Sequence, residues 1–224
     1  MDDLVRAWVE GWAVSRGAAE PVAEEWGWSI DVGQTEQVSR RVVGAVNGAV
    51  EEAVVRGVAA PVTGYGVWLK VFAHPETVGG WLGPRWWIDP APGCLMSVPL
   101  TPAATRPADV PDGYRLRGWT RGAVTQVLVT APDGALAARG QITPTGATAV
   151  LDRVETAPAH RRRGLGALVV RTLQRTAAEH GARTGVLAGT PDGRALYEAL
   201  GWRAAAPLTS AKHLGTRERP TATG

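Results

Sequence analysis

The chain has 224 residues and a formal net charge of +3, enough for one large domain or two small ones but weakly charged for a nucleic-acid binder. Its one cysteine, Cys94, excludes an internal disulfide, and the four histidines are scattered instead of standing at metal-ligand spacing. No run of about 18 apolar residues is present to cross a membrane, and the acidic start MDDLV does not read as a signal peptide, so a cytoplasmic protein without a metal is expected.

In chain order, residues 3–16 suit a helix, with Leu4, Val5, Trp8 and Trp12 on one face and Gly17 as a stop. WGWSIDVG (26–33) alternates like a strand. Residues 36–58 read as a helix, with Val38, Val42, Val46, Val50 and Val54 at helical spacing and Gly44 and Gly48 as points where it splits. YGVWLKVFA (65–73) alternates strongly and predicts a strand. PETVGGWLG predicts a short helix with Pro75 in its first turn, and GCLMSVPL another strand. Eight of the ten tryptophans lie before residue 90, so indole rings must make many apolar contacts in this half. It carries no catalytic constellation.

Residues 99–113 are rich in proline and read as a linker between an α/β domain at 1–98 and a second domain at 114–214. In the second domain YRLRGWT, TQVLVTAPDG, ALAARGQITPTG and ATAVLDRVETAP predict four strands. A helix follows from about 164 to 180, with Leu165, Leu168, Val169, Leu173 and Ala177 on one face and Gly181 as its end. TGVLAGT predicts a buried strand, and PDGRALYEAL a helix with Thr190 as N-cap and Pro191 at its first position. Trp202 enters a last strand. The polar tail at 215–224 is expected to be disordered.

The stretch PAHRRRGLGALVV (158–170) lies between a strand and an amphipathic helix. A helix N-terminus offers free N–H groups and a positive dipole end. Gly164 and Gly166 let backbone approach an anion, and Arg161, Arg162 and Arg163 add charge at one point, which suits a diphosphate better than a duplex. A solvated basic loop is the competing reading of those residues.

Arg161-Arg-Arg-Gly164-Leu-Gly166, with GRALYEALGW about thirty residues on, resembles the GNAT superfamily of acyl-CoA-dependent N-acyltransferases. The resemblance covers residues 112–214 and is strongest over 150–203. It implies a mixed, mostly antiparallel sheet flanked by helices, an α/β (α+β) fold, and acetyl transfer from acetyl-CoA to a primary amine without a metal. By resemblance, backbone amides from Arg161, Arg162, Arg163, Gly164, Leu165 and Gly166 hold the CoA pyrophosphate. Val154, Glu155 and Thr156 make main-chain contacts to the pantetheine arm. Tyr197 is implied as general acid for the leaving thiolate, which fits the need to protonate it.

Asp152 and Glu155 are charged residues on a strand expected to be covered on both faces; either could act as base, and strand alternation places them on opposite faces. The competing reading for each is an ion pair with an arginine. Thr190 stands where the family commonly has asparagine, and Gly193 where it has a small residue. The two helices that the family places between its first strands, and that help form the acceptor site, are absent here, since only RGAV separates the first two strands of this half. The N-terminal half is therefore expected to be a diverged half of the same fold that supplies a Trp-rich acceptor wall. The alternative is a non-catalytic acyl-CoA-binding or protein-interaction module. The expected partners are acetyl-CoA and an amine, with no nucleic acid or membrane, in a monomer or homodimer.

Overall fold

Helix α1 (Asp2–Arg16) forms where the apolar stripe predicts it, burying Val5, Trp8, Val9, Trp12 and Ala13. The structure, a computed structural model, describes residues 2–44, 50–101 and 109–215. The polar tail after Gly215 and residues 102–108 of the proline-rich linker lie outside them. After α1 come β1 (Val22–Glu24), β2 (Gly27–Gln34) and β3 (Gln37–Val43), then α2 (Glu52–Ala59), β4 (Tyr65–Val71), α3 (Pro75–Gly79), β5 (Trp86–Ile88) and β6 (Gly93–Pro99). The second half contributes β7 (Arg115–Arg121), β8 (Val124–Thr130), β9 (Leu136–Thr145), β10 (Thr148–Thr156), a 3-10 turn (Pro158–His160), α4 (Leu165–Glu179), β11 (Thr184–Gly189), α5 (Pro191–Ala199) and β12 (Arg203–Leu214).

The helix expected over 36–58 is corrected. Its first part is β3, and only 52–59 is helical; Val46 and Gly48 lie outside the described residues. A four-residue valine spacing fits a strand face as well as a helix face, and the β-branched run QVSRRVV favours the strand.

Among the described residues twelve strands make one mixed sheet in the order β1-β2-β3-β4-β12-β6-β11-β10-β9-β8-β7, with β5 beside β12. Of these pairings only β3–β4 and β10–β11 are parallel, each joined through a helix, α2 and α4. The two halves repeat one scheme: parallel pair, short helix, last strand. The last strands are exchanged. β6, from the first half, pairs with β11, and β12, from the second, pairs with β4; β6 and β12 pair with each other at the centre.

Alternation along β12 sorts the two faces. Leu208 joins the cluster under α1, and Ala211 joins the cluster under α2 and α3. Helices α4 and α5 cover the same face as α2 and α3, while α1 lies on the other. The α1 cluster draws Ile30, Val42 and Phe72 from the first half and Val150 and Val186 from the second, so both halves share one core. Helix α1 thus stands against β9 and β10, the part of the second half that has no helices of its own on that face.

Candidate functional site

The parallel pairing of β10 with β11 covers only Val150 and the two residues before it, matched to Thr184–Val186. Strand β10 runs on to Thr156, still bonded to β9 on its other side. Among the described residues, Leu151 to Thr156 therefore has no strand partner on the β11 side, which leaves a wedge whose backbone groups can bond an inserted chain. Val154, Glu155 and Thr156, the residues expected to contact pantetheine, lie along it. At the mouth of the wedge the register against β9 shifts between Asp152 and Glu155, and Arg153 takes a left-handed φ of 53°. This is a β-bulge, and it re-aims the side chains after it.

From the wedge the chain passes through the 3-10 turn to the arginine loop. Arg161 donates through Nε to the Thr156 carbonyl at 3.4 Å, tying the loop to the end of β10. Arg162 has φ of 62° and Gly164 φ of 77°. Alternating left-handed residues turn successive N–H groups inward, making an anion-binding nest at the helix start. Gly164 is the N-cap of α4, in a conformation that suits glycine, and no side chain of the described residues caps that end. By contrast Thr190 caps α5, its Oγ1 accepting from Gly193 N at 3.3 Å. The side chains of Arg161, Arg162 and Arg163 are exposed on the loop that leads into Leu165 and Gly166, the first residues of α4. A Cβ on Gly166 would stand 3.0 Å from Leu196 of α5, so the two helices meet closely here.

Tyr197 is buried on α5, edge-on to Trp202 with ring centroids 5.9 Å apart. A Cβ at Gly193 would come within 3.0 Å of its ring, so glycine there makes room for the tyrosine. Burial, and then the negative charge of Asp152, push the Tyr197 phenol up to about 12. It stays protonated at neutral pH and can give its proton only on demand. Beside the start of α5 a cavity of about 440 Å3 is lined by Thr190 and Arg194, with His74 and Cys94 from the first half. Burial raises the Cys94 thiol, which leaves it a poor nucleophile.

Asp152 and Glu155 share a face, which corrects the expectation from simple alternation. Asp152 pairs with Gln141 and Glu155 with Arg139, two residues apart on β9, because the bulge inserts the extra residue. Their surroundings differ. The Asp152 carboxylate accepts from Arg16 Nε at 2.6 Å, Arg16 Nη2 at 2.8 Å and Ser15 Oγ at 2.7 Å. Burial alone would raise it, but the Arg16 hydrogen bonds and charge, aided by Ser15, hold it below the usual aspartate range. Glu155 is exposed and pairs with Arg139 at 2.8 Å. Ser15, Arg16 and Gln141, whose side chain donates to both the Ser15 carbonyl and its Oγ, escape a reading of the sequence. No local motif marks them, because α1 lies more than a hundred residues from β10. Among the described residues no group of three His, Cys, Asp or Glu side chains is placed to hold a metal.

Residues 99–202 match the family model described as acetyltransferase (GNAT) family. No curated protein sequence matches the chain significantly. Among solved structures, a GCN5-related N-acetyltransferase from Kribbella flavida is 19% identical with a TM-score of 0.65, over 96% of both chains. A GCN5-related N-acetyltransferase from Sphaerobacter thermophilus is 11% identical with a TM-score of 0.58, over 84% of this chain and 78% of that one. A tandem GNAT protein from the clavulanic acid biosynthesis pathway is 17% identical with a TM-score of 0.52, over 75% of this chain and 69% of that one. These similarities extend across the first half as well as the second and show a common fold. With the wedge, the nest and the family match falling on the same residues, the chain carries at 99–202 a domain of the GNAT acetyltransferase family, whose general reaction is N-acetylation with acetyl-CoA as co-substrate.

Proposed function

We propose that the protein transfers an acetyl group from acetyl-CoA to a primary amine within a ternary complex. The single observation that carries this reading is the open wedge of β10 leading straight into an uncapped nest at the start of α4. The pantetheine arm bonds the free backbone of Val154, Glu155 and Thr156. The pyrophosphate sits on the amides from Arg161 to Gly166, with the three arginines adding attraction. Thr190 and Gly193 border the thioester end beside Tyr197.

The amine nitrogen attacks the thioester carbon, and the carbon–sulfur bond breaks as the amide bond forms. Tyr197 donates its proton to the departing thiolate. The proton lost by the amine passes to Glu155, which is exposed on the α1 face and held only by an exchangeable ion pair. Asp152, committed to Arg16 and Ser15, is a positioning residue that locks α1 against β10.

The test is a melting-temperature series with CoA, acetyl-CoA and longer acyl-CoAs, since a ligand of the native state alone must raise the midpoint. Saturating CoA without a shift refutes the reading. Tyr197→Phe is expected to lower turnover by about 10²–10³-fold with the CoA-induced shift intact. Unchanged turnover would remove Tyr197 from the chemistry.

A further inference from the structure

On the α1 face, between the two halves, lies a group of cations outside the acyl-CoA machinery. Arg40 on β3 is only 7% exposed, and its guanidinium lies 3.4 Å from the Trp12 ring centroid and 5.8 Å from that of Trp8. Lys70 on β4 is a diagonal neighbour of Arg40 across the parallel pair. Its ammonium lies 4.6 Å from the Trp68 ring centroid and donates to Ser210 Oγ at 2.6 Å. Arg16 also stands over Trp12, 5.7 Å from the ring centroid.

Among the described residues Arg16 has a carboxylate partner in Asp152, but neither Arg40 nor Lys70 has one within 4.0 Å. Gln37 is the polar partner of Arg40, its side-chain oxygen accepting from Nε and Nη2 at 2.9 and 3.0 Å in the amide orientation that satisfies both groups. Asp89 reaches Lys70 only through its charge. Two cations withdrawn from water without an acid are expensive, and indole faces offset that in part. Burial first, then the Arg40 charge, push the Lys70 ammonium well below the usual lysine range, so an added anion would relieve the cluster. The cluster reaches β10 through Trp12: Arg40 and Arg16 both stand over its ring, and Arg16 bonds Asp152 at the mouth of the wedge.

We propose that Arg40 and Lys70 form an anion subsite of the acceptor pocket, and that the acceptor is a primary amine bearing a carboxylate on an apolar body. The proposal rests on the acetyl-transfer reading for the place of the amine. The carboxylate lies between the guanidinium and the ammonium, the body lies along the partly exposed Trp68 ring, and the amine faces the thioester. Gln37 and Ser210 already take part of the donor set, so the remaining N–H groups suit one planar monoanion better than a dianionic phosphate.

The experiment is calorimetric titration of the full chain with benzoate and with benzamide, each in the presence and absence of saturating CoA. Benzoate is expected to bind at least tenfold more tightly than its neutral analogue. Lys70→Met, which keeps the length of the stem, is expected to lose that preference while the CoA-induced melting shift remains. Arg40→Met should do the same; should it fail to fold, Lys70→Met alone decides. Equal binding of acid and amide, or benzoate affinity unchanged in Lys70→Met, overturns the subsite. A benzoate preference without any CoA shift would keep the subsite and overturn the acetyl-transfer reading; a CoA shift without a benzoate preference would do the reverse.

Discussion

The two halves use the same scheme of a parallel pair, a crossover helix and an exchanged last strand, yet their parallel pairs end differently. In the first half β3 and β4 stay in register through Val43 and Val71, and β3 stops where its pairing stops. In the second, pairing stops at Val150 while β10 continues to Thr156 through a bulge. A closed pair offers no free backbone to a ligand; an open one offers a line of it. Within one fold the groove proposed for acyl-CoA is thus made by ending a ladder early. The first half contributes in another way, lending α1, Arg40 and Lys70 to the other face and β6 to the centre of the sheet.

If the halves are one cooperative unit, Trp12→Ala should disturb both. The ring is 5% exposed in a cluster drawn from both halves and also carries Arg40. A loss of about 3–5 kcal/mol is expected in urea unfolding, with fluorescence and far-UV signals moving together in a single transition. Two separable transitions, with only one shifted, would show that the halves fold independently.

Asp152→Asn tests the lock between α1 and β10. Replacing the carboxylate leaves Arg16 with a weaker partner, and a loss of about 2 kcal/mol at pH 7 is expected, within the range for hydrogen bonds to charged groups. The folded-state pKa of Asp152 is depressed, so its contribution is present above the unfolded value of about 3.9 and is lost as pH falls through the folded one. The wild type should therefore lose stability over that acid range more steeply than the variant. Parallel stability curves below about pH 4 would mean that the pair contributes no linkage.

Gly164→Ala and Gly44→Ala sharpen the contrast between the two crossovers. Both glycines have a left-handed φ, 77° and 88°, and follow the first strand of each pair. At Gly164 nothing lies within 4 Å of an added Cβ, so the expected cost is backbone strain of about 1 kcal/mol. At Gly44 the Cβ would also press on Val50, and the cost should be larger. Only Gly164→Ala should weaken the CoA-induced melting shift. An equal weakening by Gly44→Ala would mean that the first half also binds CoA.

Much of the second half is legible in the sequence because its signals are local. The motif from Arg161 to Gly166, the Thr190 cap with Pro191, and the alternation before them each report on a few neighbouring residues. The strand inside 36–58 reads as a helix because valines four apart satisfy two periods at once. The shared face of Asp152 and Glu155 is hidden by the bulge, which depends on the left-handed Arg153 and leaves no mark in the alternation of apolar residues. Strand exchange and the α1 wall are out of reach for a different reason. They pair residues such as Arg16 and Asp152 across most of the chain, and nothing near either residue names its partner.

The smallest effect on stability is expected at Glu155, and it separates fold from chemistry. Glu155 and Arg139 are both about half exposed, and a solvated pair of that kind contributes about 0–1 kcal/mol. Glu155→Gln should therefore leave the unfolding midpoint almost unmoved. If Glu155 takes the amine proton, turnover of the same variant should fall by about 10²-fold. Added salt weakens the Arg139 pair in the wild type and should leave this rate difference in place. A variant that keeps both its midpoint and its turnover would assign proton removal to solvent. Both carboxylates on β10 would then serve position alone, and the catalytic difference between the two halves would rest on the open ladder and Tyr197.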